Sequence, residues 1–149
     1  MLAKKTKYAI IALVRLAREY RKEPLQIATL AAEEKIPKKF LEAILRDLKN
    51  AGILNSVKGR YGGYYLSQDP ETVNLATIIR LFNGPIAFIP CVTYLYYESC
   101  DVDKEEEFCG IRTFFKEVRD AAVEIFKKAT LAEIIRREDA LRASEKTVD

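Results

Sequence analysis

Histidine and tryptophan are absent from the 149 residues, methionine occurs once and cysteine three times. Without imidazole there is no Ser–His or Cys–His nucleophile pair and no His-ligated metal site, and the commonest general base is missing. An odd number of cysteines without an export signal argues against a disulfide framework and leaves a metal, cluster or thiol role open. Long apolar runs are lacking too: residues 9–14 form about the longest, against the roughly 18–20 a membrane span needs. Met1-Leu2-Ala3-Lys4-Lys5 has neither the longer apolar core nor the small-residue cleavage site of a signal peptide. The expectation is a soluble cytoplasmic protein with no membrane partner.

What is present is enough apolar material, 49% of residues, for one compact body with an appendage. The net charge of +3 hides an asymmetry. Residues 1–66 carry 14 Lys/Arg against 6 Asp/Glu, whereas residues 67–149 carry 11 against 16. A basic first half joined to an acidic second half suggests that one end meets a polyanion. Ordinary solvated surface charge would look the same, so charge alone does not decide.

Hydrophobic periodicity places a first helix at residues 7–20, capped by Thr6, with Tyr8, Ile11, Ala12, Leu16 and Tyr20 on one face. A short helix at 27–34 turns inward Leu30, Lys35-Ile36 makes a tight turn, and Pro37 opens the next helix, 37–50. There Phe40, Leu41, Ile44, Leu45 and Leu48 form the apolar stripe, and Gly52 stands where a helix ends. The period then changes. Residues 53–57 and 64–66 read as strands around Lys58-Gly59-Arg60-Tyr61-Gly62-Gly63. Helix, turn, helix and hairpin make a winged helix-turn-helix, so the fold class is mainly α with a small β-hairpin wing.

Asn74 caps a further helix ending near Phe82. Residues 86–110 show no clean period and hold all three cysteines. After them Ile111, Phe115, Val118, Ala122, Ile125 and Ala129 alternate spacings of four and three, a heptad seam along about 28 Å of helix. Thr130-Leu131-Ala132-Glu133 is a capping-box pattern starting a short helix, with a polar, frayed tail beyond Leu141. The division is therefore a DNA-binding unit at 1–83, a cysteine-bearing loop at 84–110, and a long C-terminal dimerisation helix with tail at 111–149. A helix packed within a monomer is the alternative for the seam; a homodimer covers Ile111, Phe115 and Val118 better.

On the 37–50 helix, Lys38, Lys39, Glu42, Arg46 and Lys49 point away from the stripe. Lys38 and Lys39 occupy the first turn, where such helices meet base edges, and Glu42 would accept from a cytosine amino group. Arg46 and Lys49 suit phosphate. Lys58, Arg60 and Tyr61 form a basic wing tip for the minor groove, and Lys4, Lys5 and Lys7 suit phosphates. The glycine turn runs strand to strand without a following Gly-Lys-Ser/Thr, which argues against a nucleotide loop.

Three stretches carry a family resemblance: Lys5-Thr6-Lys7-Tyr8-Ala9, residues 36–54, and Val57-Lys58-Gly59-Arg60-Tyr61-Gly62-Gly63-Tyr64-Tyr65-Leu66. Together with residues 74–82 and Thr130-Leu131-Ala132-Glu133 they resemble the bacterial Rrf-two family of transcriptional regulators, which includes IscR-, NsrR- and CymR-like members. The resemblance implies a winged-helix homodimer on palindromic double-stranded DNA operators, with a long C-terminal helix crossing its partner. By resemblance Glu42 falls where IscR-like members read bases, and Lys58 on their wing contact.

Cys91, Cys100 and Cys109 are spaced Cys-x8-Cys-x8-Cys. In cluster-binding relatives three cysteines of this region ligate a 2Fe–2S cluster, and the resemblance implies the same cofactor here. The spacing is longer than in IscR-like members. Where those place a histidine stands Arg112, and Lys7 occupies the first-helix position where NsrR-like members place a carboxylate; neither cation ligates iron. A fourth ligand would be Glu98, Asp101, Asp103, one of residues 105–107, a small molecule or a partner-chain group. Tyr94, Tyr96, Tyr97 and Phe108 are available to shield a cluster. Zinc, a reversible disulfide and plain buried thiols are the competing readings.

The function expected is a homodimeric regulator sensing redox or iron–sulfur status, or else a cluster-free thiol- or small-molecule-responsive regulator. An enzyme or redox carrier is disfavoured by the missing acid–base constellation. A protein-binding winged helix is disfavoured by the basic recognition helix.

Overall fold

The computed structural model describes residues 1–100 and 105–147. Its elements run α1 Lys4–Arg18, α2 Ile27–Glu34, α3 Lys38–Asn50, β1 Leu54–Val57, β2 Gly63–Leu66, α4 Leu75–Asn83, α5 Gly110–Lys128 and α6 Leu131–Glu145. Single 3-10 turns at Pro90–Val92 and Glu106–Phe108 break the aperiodic stretch before α5.

The apolar stripe of α3 buries Leu41, Ile44, Leu45 and Leu48 against Leu13 and Leu16 of α1, Leu30 of α2 and Ile78 of α4, all less than 2% exposed. Each such side chain contributes about 1.5–3 kcal/mol on leaving water. Phe40 departs from the expected stripe. It is 40% exposed and meets Tyr8 of α1 edge to face at 5.5 Å. The core-facing arc is already filled by the four aliphatic residues, which leaves Phe40 at its rim.

Thr6 is not the cap of α1. The helix begins at Lys4, and Thr6 lies fully buried within it. Its hydroxyl donates to Asn83 Oδ1 at 3.2 Å, and the same oxygen accepts from the Ala3 N–H at 2.6 Å. An acceptor from the end of α4 thus replaces the local cap, and α1 starts a turn earlier than local chemistry alone implies. At the other end α1 stops at Arg18, and a turn through Arg21, with φ of 62°, leads to Pro24.

The helix-turn-helix connection rests on Lys35, which adopts the left-handed conformation (φ 54°). This lets the N–H of buried Ile36 donate to the Ala31 carbonyl at 3.0 Å. Pro37 stands just outside α3 as its N-cap rather than inside it. Its carbonyl accepts from the Leu41 N–H at 2.9 Å.

β1 and β2 pair antiparallel, Leu54 with Leu66 and Val57 with Gly63. Ile53, expected in the first strand, precedes it but is buried. Leu25 adds a one-residue bridge to Tyr64, with N–H···O distances of 2.9 and 2.8 Å, and so docks the hairpin on the body.

Asn74 caps α4 as expected, its side chain accepting from the Thr77 N–H at 3.1 Å. Thr130 caps α6 through the Glu133 N–H at 3.1 Å. However, α6 has 15 residues rather than being short. Leu131 is fully buried in the core, Ile134 and Ile135 pack against it, and Arg18 of α1 binds Glu138 and Asp139 at 2.6 and 3.0 Å. Packing along α1 extends the helix to Glu145, past the expected fraying point. No described helix is long and apolar enough to cross a membrane.

Candidate DNA interface and cysteine cavity

The stripe that buries one side of α3 leaves Lys38, Lys39, Glu42 and Arg46 exposed on the rest of its surface. Lys49 Nζ donates to Ser56 Oγ of β1 at 2.7 Å, which places α3 beside the hairpin. At the wing tip Lys58, Arg60 and Tyr61 are exposed, with the Arg60 guanidinium 5.7 Å from the Tyr61 ring centre. Gln26 steadies this tip by donating to the Arg60 carbonyl at 2.8 Å.

The three N-terminal lysines differ in their surroundings. Lys7 is exposed. Lys4 lies 5.7 Å over the Tyr8 ring. Lys5 is paired with Asp47 of α3 at 2.8 Å and lies 5.5 Å from the Phe82 ring, so part of its charge is already answered within the chain.

Cys91, Cys100 and Cys109 all line one cavity of about 300 Å³. Cys91 is buried on the Pro90–Val92 turn, Cys109 is half-buried at the start of α5, Cys100 is exposed, and all three are free thiols. Ile89, Pro90 and Ile111 supply apolar wall, while Glu98, Glu106 and Arg112 supply charge. Of the proposed fourth ligands Glu98 and Glu106 reach this cavity, Glu105 and Glu107 do not line it, and Asp101 and Asp103 lie outside the described residues. Tyr94, Tyr96, Tyr97 and Phe108, expected as a shield, are at least half exposed and line none of it. Tyr97 instead donates to Glu106, and that bond raises the Tyr97 pKa.

The donor set suits iron: three soft thiols and a carboxylate make four positions. The side chains share the cavity without converging. Among the described residues no group of three Cys, Asp or Glu side chains stands in an arrangement that holds a single metal ion.

Two arginines of α5 stand against the cysteine turn. Arg112 donates from Nε to the Cys91 carbonyl at 3.2 Å, its backbone N–H points at Cys109 Sγ at 3.5 Å, and Glu106 lies 3.5 Å away. Arg119 is 8% exposed. It donates to the Val92 carbonyl, bonds Asp120 at 2.9 Å and stacks 4.1 Å over the Tyr94 ring. The hydrogen bond from Arg119 holds the Asp120 carboxyl below its ordinary pKa.

Along the seam of α5, Ile111 and Ile125 are 61% and 67% exposed, and Phe115, Val118 and Ala122 are half-buried. Only Arg119 and Val123 of this helix are buried. Sequence reasoning missed Arg119, Gln26 and the Tyr8–Phe40 contact. Arg119 left no signal, since α5 also carries charges at Arg112, Lys116, Glu117, Asp120 and Glu124. Gln26 left none either.

The family model Rrf2, described as an iron-dependent transcriptional regulator, matches residues 2–137. An rrf2-like HTH-type transcriptional regulator of Rhodobacter capsulatus is 38% identical over 138 residues, covering 91% of this chain and 92% of that one. The solved structure of CymR, the global cysteine regulator of Bacillus subtilis, superposes with a TM-score of 0.74 at 27% identity, covering 90% of this chain and 95% of its own. An IscR structure from T. potens shares the fold, with a TM-score of 0.72 at 21% identity over 93% of this chain and 88% of that one. With its helix-turn-helix, glycine-tipped wing and long penultimate helix, the chain belongs to the Rrf2 (Rrf-two) family of winged-helix transcriptional regulators.

Proposed function

We propose that this chain acts in the cytoplasm as a homodimer that reads a palindromic DNA operator and adjusts its grip through Cys91, Cys100 and Cys109. One observation carries the DNA reading: α3 exposes Lys38, Lys39, Glu42 and Arg46 while burying its other face, next to a wing tip that exposes Lys58, Arg60 and Tyr61. In this reading Lys38, Lys39 and Glu42 meet base edges, Arg46, Lys4 and Lys7 meet phosphate, and the wing enters the minor groove. Lys5 contributes less, because Asp47 already engages it. Two reading heads address half-sites about one helical turn apart, so their mutual angle controls affinity. The exposed seam of α5 supports a partner helix there.

The thiol cavity is the sensing part. A 2Fe–2S cluster would take Cys91, Cys100 and Cys109 as ligands, with Glu98 or Glu106 as the fourth. When bound it supplies one-electron and iron-dependent responsiveness. This chain's own residues place two carboxylates and Arg112 around the thiols, and Ile89, Pro90 and Ile111 limit water on one side. A cluster-free reading, in which the thiols pair reversibly as disulfides, is supported by three free thiols that share one cavity without converging on a metal position.

Anaerobic reconstitution with iron and sulfide separates the two. A brown protein with charge-transfer absorption, lost in Cys100→Ala, supports the cluster. A colourless product sinks it and leaves the disulfide reading, which then requires loss of free thiols on mild oxidation and their return with dithiothreitol.

A further inference from the structure

We infer that Arg112 and Arg119 are positioning residues that tie the state of the thiol cavity to the placement of α5. The inference rests on the reading of the thiols as the sensing group. The two arginines are seven positions apart, so they share one face of the helix, two turns apart. Their guanidinium groups donate to consecutive carbonyls, those of Cys91 and Val92, on the turn that carries the buried thiol. Arg119 is nine-tenths buried, and a buried guanidinium is costly unless its donors are answered. Val92, Asp120 and the Tyr94 ring answer it, which makes this attachment hard to shift without moving the helix.

Arg112 touches the cavity twice. Its side chain holds the Cys91 turn, and its backbone N–H faces Cys109 Sγ as the cap of α5. A substituent or ligand on Cys109 competes for that sulfur, and one on Cys91 displaces the turn from both arginines. Either change acts on the helix whose seam bears Ile111 and Ile125. The clamp does not depend on whether a cluster or a disulfide forms.

The test uses the full-length protein, with its thiols capped by methyl methanethiosulfonate and released by dithiothreitol. Amide exchange of residues 110–128 is followed by mass spectrometry, and affinity is measured for DNA selected by the unmodified protein from a random pool. In the wild type, capping is expected to speed exchange in α5 and change DNA affinity roughly tenfold, both reversed by dithiothreitol. In Arg112→Gln/Arg119→Gln, exchange is already fast and capping alters either readout less than about twofold, a residual below the usual range of coupling between sites. Arg112→Lys/Arg119→Lys, which keeps the charges and one donor each, recovers part of the response. Should the double Gln variant melt far below the wild type, Arg112→Gln alone carries the comparison, since buried Arg119 stays in place.

A double variant that responds to capping as the wild type does overturns the inference. A wild type whose DNA affinity responds while α5 exchange does not also overturns it, and leaves the sensing role intact. If neither readout moves in the wild type, the sensing role itself fails and the inference falls with it.

Discussion

A Cβ added at Gly63 would stand 2.2 Å from the Leu25 carbonyl oxygen, which is backbone and has nowhere to go. Gly63→Ala must therefore break the Leu25–Tyr64 bridge and its two hydrogen bonds, at a cost of about 2 kcal/mol. Gly59→Ala has open space around it and meets only the strain of its positive φ, about 1–2 kcal/mol. Urea titration of both variants checks the stability, and DNA binding should suffer more in Gly63→Ala because the wing comes loose. At Asp120 the pKa is depressed by the hydrogen bond from Arg119. Its stabilising effect is complete above the ordinary carboxyl range and is lost as the pH falls through the lower folded value. The wild type should accordingly outlast Asp120→Asn in thermal melts near neutrality, and that advantage should shrink progressively as the pH falls below about 4, the ordinary carboxyl pKa. Of these residues the glycine pair was legible as a turn, whereas the buried setting of Arg119 beside Asp120 was not. A charged residue carries no mark in sequence that says its partners are a distant carbonyl and an aromatic ring.

At the scale of elements, α5 is the one whose pattern and packing disagree within a single chain. Its heptad seam reads as buried, yet Ile111 and Ile125 are mostly exposed. Ile125→Asp should leave the fold stable to within about 0.5 kcal/mol, since an exposed position loses little. Sedimentation should show dimer giving way to monomer, with weaker operator binding as half-sites are read singly. A variant that remains as dimeric as the wild type would remove Ile125 from the interface. The periodicity of α3 and the caps Asn74 and Thr130 were readable because period and cap are local properties. The start of α1 was not, because Asn83, far away in sequence, supplies the acceptor. Phe40 fitted the apolar period of α3 and still lies at the rim, since a period gives the direction of a side chain and not the extent of the core that meets it.

For the molecule as a whole, the uneven charge is the property that reaches furthest. The basic residues of 1–66 include those exposed on α3 and at the wing tip, while acidic residues such as Glu138 and Asp139 of α6 bind back onto α1. Removing two wing cations in Lys58→Ala/Arg60→Ala should weaken DNA binding and reduce the slope of log K against log salt by about 2 per subunit. An unchanged slope in fluorescence anisotropy would mean that the wing touches no phosphate. The last part of the chain does not stand apart: α5 carries the exposed seam, but Leu131 of α6 returns to the core built by α1, α2, α3 and α4.

Order and type of the elements, helix α3 with its neighbouring hairpin, and the family were all set by local pattern: apolar period, caps, and glycines where a turn needs them. Folding alone brought three cysteines nine positions apart into one cavity, kept the nearby tyrosines out of it, and put two arginines of α5 on the Cys91 turn. The physical reason is range. Helix and hairpin signals act over a few residues, whereas burial, charge pairing and shared cavities depend on which distant segments the packed core happens to leave side by side.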